Sequence, residues 1–214
     1  MNDGTEKDPR PAAVSFVTTE HFVLQGSRAS TISESTGRAS MFLAAVSGGL
    51  VALGLVATAS GISSAFYAFA LILLPTLAFV GVVTFERALQ SGVEDYRYAR
   101  RIARLRGFYF ENAPEVTPYL LTVPETERMR AQGLGGGRWQ DLFTVAGMMC
   151  VIACVLCGAT IGLAVAVAFD HKLALSLVAG GAVALVALRV LMRFQKAAWW
   201  HAAAAPVSFE ETAG

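Results

Sequence analysis

Apolar positions along the chain gather into four runs, at 41–60, 66–85, 142–169 and 173–192. Each is long enough to cross the hydrocarbon core of a bilayer as an α-helix. Charged residues stay away from the middles of the runs and stand where the runs end, at Glu86, Arg87, Asp170, Lys172, Arg189 and Arg193. Arg189 and Arg193 can snorkel to the headgroups. The connections around 61–64 and 170–172 are too short to fold into anything, so the pattern predicts two tight hairpins of transmembrane helices. The predicted fold class is therefore all-α, an integral membrane protein with four transmembrane helices.

Outside the runs the pattern is more graded. Residues 1–13 are polar, include Pro9 and Pro11, and read as a disordered start. In 14–40, Phe22, Val23, Ala29 and Ile32 recur at helical spacing, which predicts an amphipathic helix beginning near Glu20 with Thr18 or Thr19 as its cap. The second run does not stop at Phe85. Leu89, Val93, Tyr96, Ile102 and Ala103 continue an apolar stripe, and no proline intervenes before Pro114. A helix over 66–110, kinked at Pro75, would be roughly 65 Å long and would project well beyond the membrane.

Pro114, Pro118 and Pro124 then divide the chain, and Thr122 with Glu125 forms the signature of a capped helix ending at Gly133. Gly135, Gly136 and Gly137 make a hinge before Trp139, and Trp139, Trp199 and Trp200 are read as headgroup anchors. The chain thus divides into the start, the entry helix, a first hairpin over 41–85, a basic helix with a Pro- and Gly-rich insert over 86–141, a second hairpin over 142–194, and a tail over 195–214.

Charge orients this arrangement. Of the 17 Lys and Arg residues, all but Lys172 fall in the N-terminal segment, in 87–138, or near the end of the fourth run. The positive-inside rule then predicts cytoplasmic N- and C-termini and a cytoplasmic middle segment. A composition of 55% hydrophobic and 15% charged residues exceeds what one soluble core needs. The start of the chain lacks the features of a cleaved secretory signal, so the first run is expected to stay as a signal anchor. High Arg, Ala, Gly and Val usage fits a bacterial coding bias, hence an inner-membrane location. A net charge of +1 gives no argument for nucleic acid at the level of the whole chain, and the three Cys share one run, so no disulfide framework is expected.

No catalytic constellation stands out, and the reading is not an enzyme and without a cofactor. The glycines of 133–137 lack the Gly-Lys-Ser or Gly-Lys-Thr end of a phosphate loop, and His21, His171 and His201 are dispersed. Cys150, Cys154 and Cys157 lie on one helical face beside Met148 and Met149, a soft donor set for Cu(I). No second such set faces it, and packing is the plainer role. Gly49, Gly54, Gly158 and Gly162 are expected to let helices approach closely, within a subunit or in a homo-oligomer.

The densest charge is Arg97, Arg100, Arg101, Arg104 and Arg106, interleaved with Tyr96 and Tyr98. Orientation and attraction to anionic membrane lipids account for much of it. Arginine with aromatics several turns beyond a span is also the chemistry that binds a phosphate-bearing, base-stacking ligand.

An entry helix, a tight hairpin, and the basic stretch Tyr98-Ala99-Arg100-Arg101-Ile102-Ala103-Arg104-Leu105-Arg106 with Phe108-Tyr109-Phe110 resemble the SLATT-type membrane effectors over the first half of the chain. The resemblance implies a pore-forming effector working beside nucleotide-signalling enzymes in bacterial antiphage defence. The insert and the second hairpin are departures from that pattern. The expected function is a homo-oligomeric channel or pore-forming effector, gated from the cytoplasm by a cyclic nucleotide or oligonucleotide. Its rival is a non-conducting scaffold or accessory subunit that docks a cytoplasmic protein partner. A small-solute transporter fits less well, because ionisable groups are absent from the middles of the runs.

The charge distribution makes the topology testable. Single cysteines placed at Gln90 or Ala131 are expected to resist an impermeant thiol reagent added to intact cells; labelling from outside would reverse the orientation.

Overall fold

The computed structural model describes residues 11–119, 142–169 and 172–205. All four apolar runs are helical, on α1 (Pro11–Ser60), α2 (Ser64–Asn112), α3 (Val145–Ala168) and α4 (Leu173–Ala204). Each is long and apolar enough to cross a membrane. A short 3-10 segment, Pro114–Tyr119, follows α2. The expected capped helix after Thr122, the glycine hinge and Trp139 lie outside the described residues.

The entry segment and the first span are one helix. α1 has 50 residues and is about 75 Å long at the usual rise. It begins with Pro11 in the first turn, where a missing amide proton costs nothing. Thr19 is not a cap: it lies inside the helix and its hydroxyl donates to the Ser15 carbonyl at 2.9 Å. Thr31 and Ser40 bond back to carbonyls of their own helix in the same way, so their hydroxyls are satisfied inside it. α2, with 49 residues, matches the predicted continuous helix and carries Pro75 without interruption.

The helices pack in chain order, α1 on α2, α2 on α3, and α3 on α4. α1 and α2 turn about Gly61, whose φ of 65° lies in the left-handed region that glycine adopts freely. At the joint between the hairpins, α1, α2 and α3 meet at Gly81. A Cβ there would stand 2.8 Å from the Phe42 ring and 3.0 Å from the Ala153 methyl. Around it Phe42, Phe85, Met149, Cys150 and Cys154 form a buried apolar core. Cys150 and Cys154 are packing residues here, with sulfurs 4.0 Å apart. α3 is capped by Thr144, which accepts from the Gly147 amide at 2.9 Å.

The small residues divide by position. A Cβ on Gly158 would stand 2.6 Å from the Gly180 carbonyl oxygen and one on Gly162 3.1 Å from that of Ser176, so both serve the α3–α4 contact. Gly49 lies beneath Leu77 of α2, whereas Gly54 faces open space.

The buried face of the entry half of α1 differs from the expected one. Phe22, Val23 and Ile32 are exposed, and Leu24, Ser35 and Ala39 are buried. The packed face carries polar and small side chains because it meets α2 through ion pairs. Arg28 bonds Asp95 with two nitrogens, at 2.6 and 3.3 Å, and Glu34 receives Arg38 at 2.9 Å and Arg87 at 3.8 Å.

These contacts predict that Gly81→Leu and Gly158→Leu each destabilise the detergent-solubilised protein by about 1–3 kcal/mol, the usual penalty for overpacking. Gly54→Leu should leave the thermal unfolding midpoint of the single subunit unchanged, and a loss equal to that of Gly158→Leu would refute the assignment.

Candidate functional site

The basic stretch lies on the part of α2 that continues past the apolar run, where it is flanked by the entry half of α1 and the end of α4. On a helix, residues spaced by three or four share a face, so the five arginines cannot act as one cluster. Arg97, Arg101 and Arg104 occupy one exposed face at i, i+4 and i+7. Arg106 and Tyr98 are half-buried, and Arg100 and Tyr96 turn toward α4.

Tyr96 is 4% exposed, so its ring is not open to a ligand base. Its edge meets the Trp199 indole at a centroid distance of 6.1 Å and an angle of 80°. Trp199 comes this close because Gly92 lies beneath it; even a Cβ there would stand 3.2 Å from the indole. The guanidinium of Arg100 lies 5.8 Å from the Tyr96 ring centroid. Its Nη1 donates to the carbonyls of Ala202 and Ala203 at 3.3 Å and of Ala205 at 2.9 Å. These are the carbonyls left without helical partners at the end of α4, where the helix dipole is negative. Arg100 therefore caps α4, and Tyr96 with Trp199 clamps it.

Sequence reasoning placed Trp199 at the headgroups beside Trp200. Trp200 is 78% exposed and suits that role, but Trp199 packs against Tyr96 and Gly92. Two further polar residues were missed. Asp95 fixes the entry half of α1 through Arg28. Gln195 is fully buried and its Nε2 donates to the Thr144 hydroxyl at 3.4 Å, tying α4 to the cap of α3. Neither pairing has a hydropathy signature.

Two recesses adjoin the stretch. One, of about 310 Å³, opens between α1, α2 and the start of α3, and its mostly apolar lining, from Ile32, Ala88, Phe143, Val145, Ala146 and Trp199, is interrupted by Thr31, Ser35, Thr36, Ser91, Thr144 and Asp95. The other, of about 300 Å³, lies between α2 and α4 and is lined by Glu86, Gln90, Glu94 and Arg97 on α2 with Phe194 and Ala198 on α4. The exposed arginine face thus begins at a recess and continues outward along the helix surface. Chemically it offers three guanidinium groups in a row over about 10 Å, a spacing suited to successive phosphates.

Comparison of the chain with family models, curated proteins and solved structures gives no match.

Because Arg100 bonds three carbonyls at once, Arg100→Ala is expected to free the end of α4 at a cost of about 1–3 kcal/mol. Amide hydrogen exchange over 199–205 should accelerate while the spans stay protected. Unchanged exchange there would remove the capping role.

Proposed function

We propose that the protein is a homo-oligomeric channel or pore-forming effector of the bacterial inner membrane, with both termini and the arginine-bearing extension in the cytoplasm. An anionic nucleotide-type ligand on that extension gates it. The observation that carries this reading is the continuity of α1 and α2, each running without a break from an apolar span into the extension. A ligand that draws the outer arginines, Arg101 and Arg104, toward its phosphates acts on the end of a stiff lever whose other end lies in lipid. In this reading the part-buried pair of Arg28 with Asp95 couples the two levers.

Self-association is supported by two exposed surfaces. Only 6% of the most apolar stretch of α1 is buried, leaving the span open to lipid or to another copy. Beyond the span, Phe16 is 75% and Phe22 67% exposed. The described helices pack in chain order, each mainly on its neighbour, rather than around a common centre, so the reading puts the pore on an axis between subunits. The ligand class and the setting in antiphage defence come from the resemblance to SLATT-type effectors. The same exposed Phe16 and Phe22 also suit the rival scaffold, for which they would be the seat of a cytoplasmic protein partner.

Binding of labelled cyclic nucleotides and short oligonucleotides to the purified protein separates the readings. Arg101→Lys with Arg104→Lys keeps the charge and removes the planar two-pronged donor, and should weaken binding roughly tenfold or more. Tyr98→Ala, which truncates the half-buried tyrosine, should weaken it by about 1–3 kcal/mol if the ring stacks on a base. The same variants should change the protein's toxicity in cells and its conductance in planar bilayers. Absence of nucleotide binding, with Lys variants that behave as wild type and bilayers that stay silent, would put the scaffold first.

A further inference from the structure

The seam between α2 and α4 changes character along its length. Its apolar part is lined by Val82 of α2, Cys157 of α3, and Ala182, Val183, Val186, Ala187, Val190 and Leu191 of α4, around a volume of about 470 Å³. α3 forms the floor, and the two neighbouring helices form the walls. One turn further along the same seam lies the recess of Glu86, Gln90, Glu94 and Arg97, closed on the α4 side by Phe194 and Ala198. The change from apolar to charged lining falls at the end of the apolar run of α2, as the change at the edge of a bilayer would.

The dimensions limit the occupant. From Ala182 to Leu191 the trough is about 14 Å long at the helical rise. A volume of about 470 Å³ over that length makes a narrow open furrow between neighbouring helices. A hydrocarbon chain fits along it and matches its apolar lining.

The charged end limits the headgroup. Two carboxylates, Glu86 and Glu94, stand with one guanidinium, Arg97, and Gln90 is tied to both Glu86 at 3.4 Å and Arg87 at 3.0 Å. A headgroup with only negative charge would meet two carboxylates. A quaternary ammonium would bring charge without a hydrogen-bond donor. A primary ammonium brings three donors for carboxylates, and the phosphate beside it suits Arg97. Glu94 and Arg97 are neighbours one turn apart on α2, about 4.5 Å along the axis, close enough to hold the two ends of one small headgroup.

We propose that this seam is a binding site for one phospholipid with a primary-amine headgroup, phosphatidylethanolamine, its acyl chain in the apolar trough and its headgroup between Glu86, Glu94 and Arg97. The site ties α2 to α4 at the level where the arginine row begins, and it stands whether or not the extension binds a nucleotide. It accounts for Arg97 by a ligand in the bilayer, while Arg101 and Arg104 lie one and two turns beyond.

Native mass spectrometry of the full-length, delipidated protein with equimolar phosphatidylethanolamine, phosphatidylcholine and phosphatidylglycerol tests the proposal. One phosphatidylethanolamine per subunit is expected to persist at collision energies that strip the other two. Glu86→Gln with Glu94→Gln, both on the surface of α2, should lower the preference for phosphatidylethanolamine over phosphatidylglycerol roughly tenfold. Val186→Trp, at an exposed position, should fill the trough and abolish retention, with helix content followed by circular dichroism. Equal retention of the three lipids by the wild type would overturn the proposal, as would Gln variants with the wild-type preference. If Val186→Trp changes the oligomeric state while lipid retention stays the same, the seam is a subunit interface and the lipid site is refuted.

Discussion

A single close approach, at Gly81, sets how the helices can be arranged. The Phe42 ring of α1 and Ala153 of α3 reach α2 at the same point, where no side chain stands between them. Lipid supplies no hydrophobic drive for helix association, so what holds spans together is the number of atoms that can be brought into contact. Removing the side chain at Gly81 lets α2 collect contacts from both neighbours at one level. α2 thereby becomes the shared wall of two hairpins, and Phe85, Met149 and Cys150 close around the junction with almost no exposure. The contact between Gly158 and Gly180 repeats the device for α3 and α4, so each helix–helix step uses a bare backbone on at least one side.

Past the apolar run, water is a competing partner and the same helices hold together differently. Close packing is joined by charged contacts: the bidentate pair of Arg28 with Asp95, the looser ion pair of Glu34 with Arg87, and Arg100 on the carbonyls at the end of α4. Exposed ion pairs contribute little individually, but Asp95 is only 15% exposed and its pairing is bidentate, the geometry in which such a bond is strongest. The result is a joint that fixes orientation more than it adds stability.

The sequence made the spans and the length of α2 legible because hydropathy and the spacing of Leu89, Tyr96 and Ile102 report burial directly, and all three are buried. It misled on α1. Phe22, Val23 and Ile32 look like a core face, yet the face that packs bears Arg28 and Ser35, since pairing with Asp95 needs charge and a short side chain lets α2 come near. An ion pair between positions 67 residues apart leaves no periodic trace. The arginine stretch was legible as a place but not as a set of roles. Composition counts five arginines alike, and only the position of α4 picks out Arg100, which bonds its end, from the exposed Arg97, Arg101 and Arg104.

Distance from the hydrocarbon orders those three in turn. Each step of three or four residues along α2 moves a guanidinium about 5 Å further from the apolar run. Arg97 lines a recess that continues an apolar trough, with the Glu86 and Glu94 carboxylates around the same recess. Arg104 is roughly 10 Å further out, about one screening length at physiological salt, where attraction to a charged membrane surface has largely decayed. Orientation by the positive-inside rule counts charge within about 15–20 residues of a span, a window that still takes in Arg97, Arg101 and Arg104. The exposed outer end of the row is also where a partner approaching along the helix from solution would meet it first. In the proposed reading, a soluble anion drawn to that end acts on a helix whose inner part is already packed between α1 and α3.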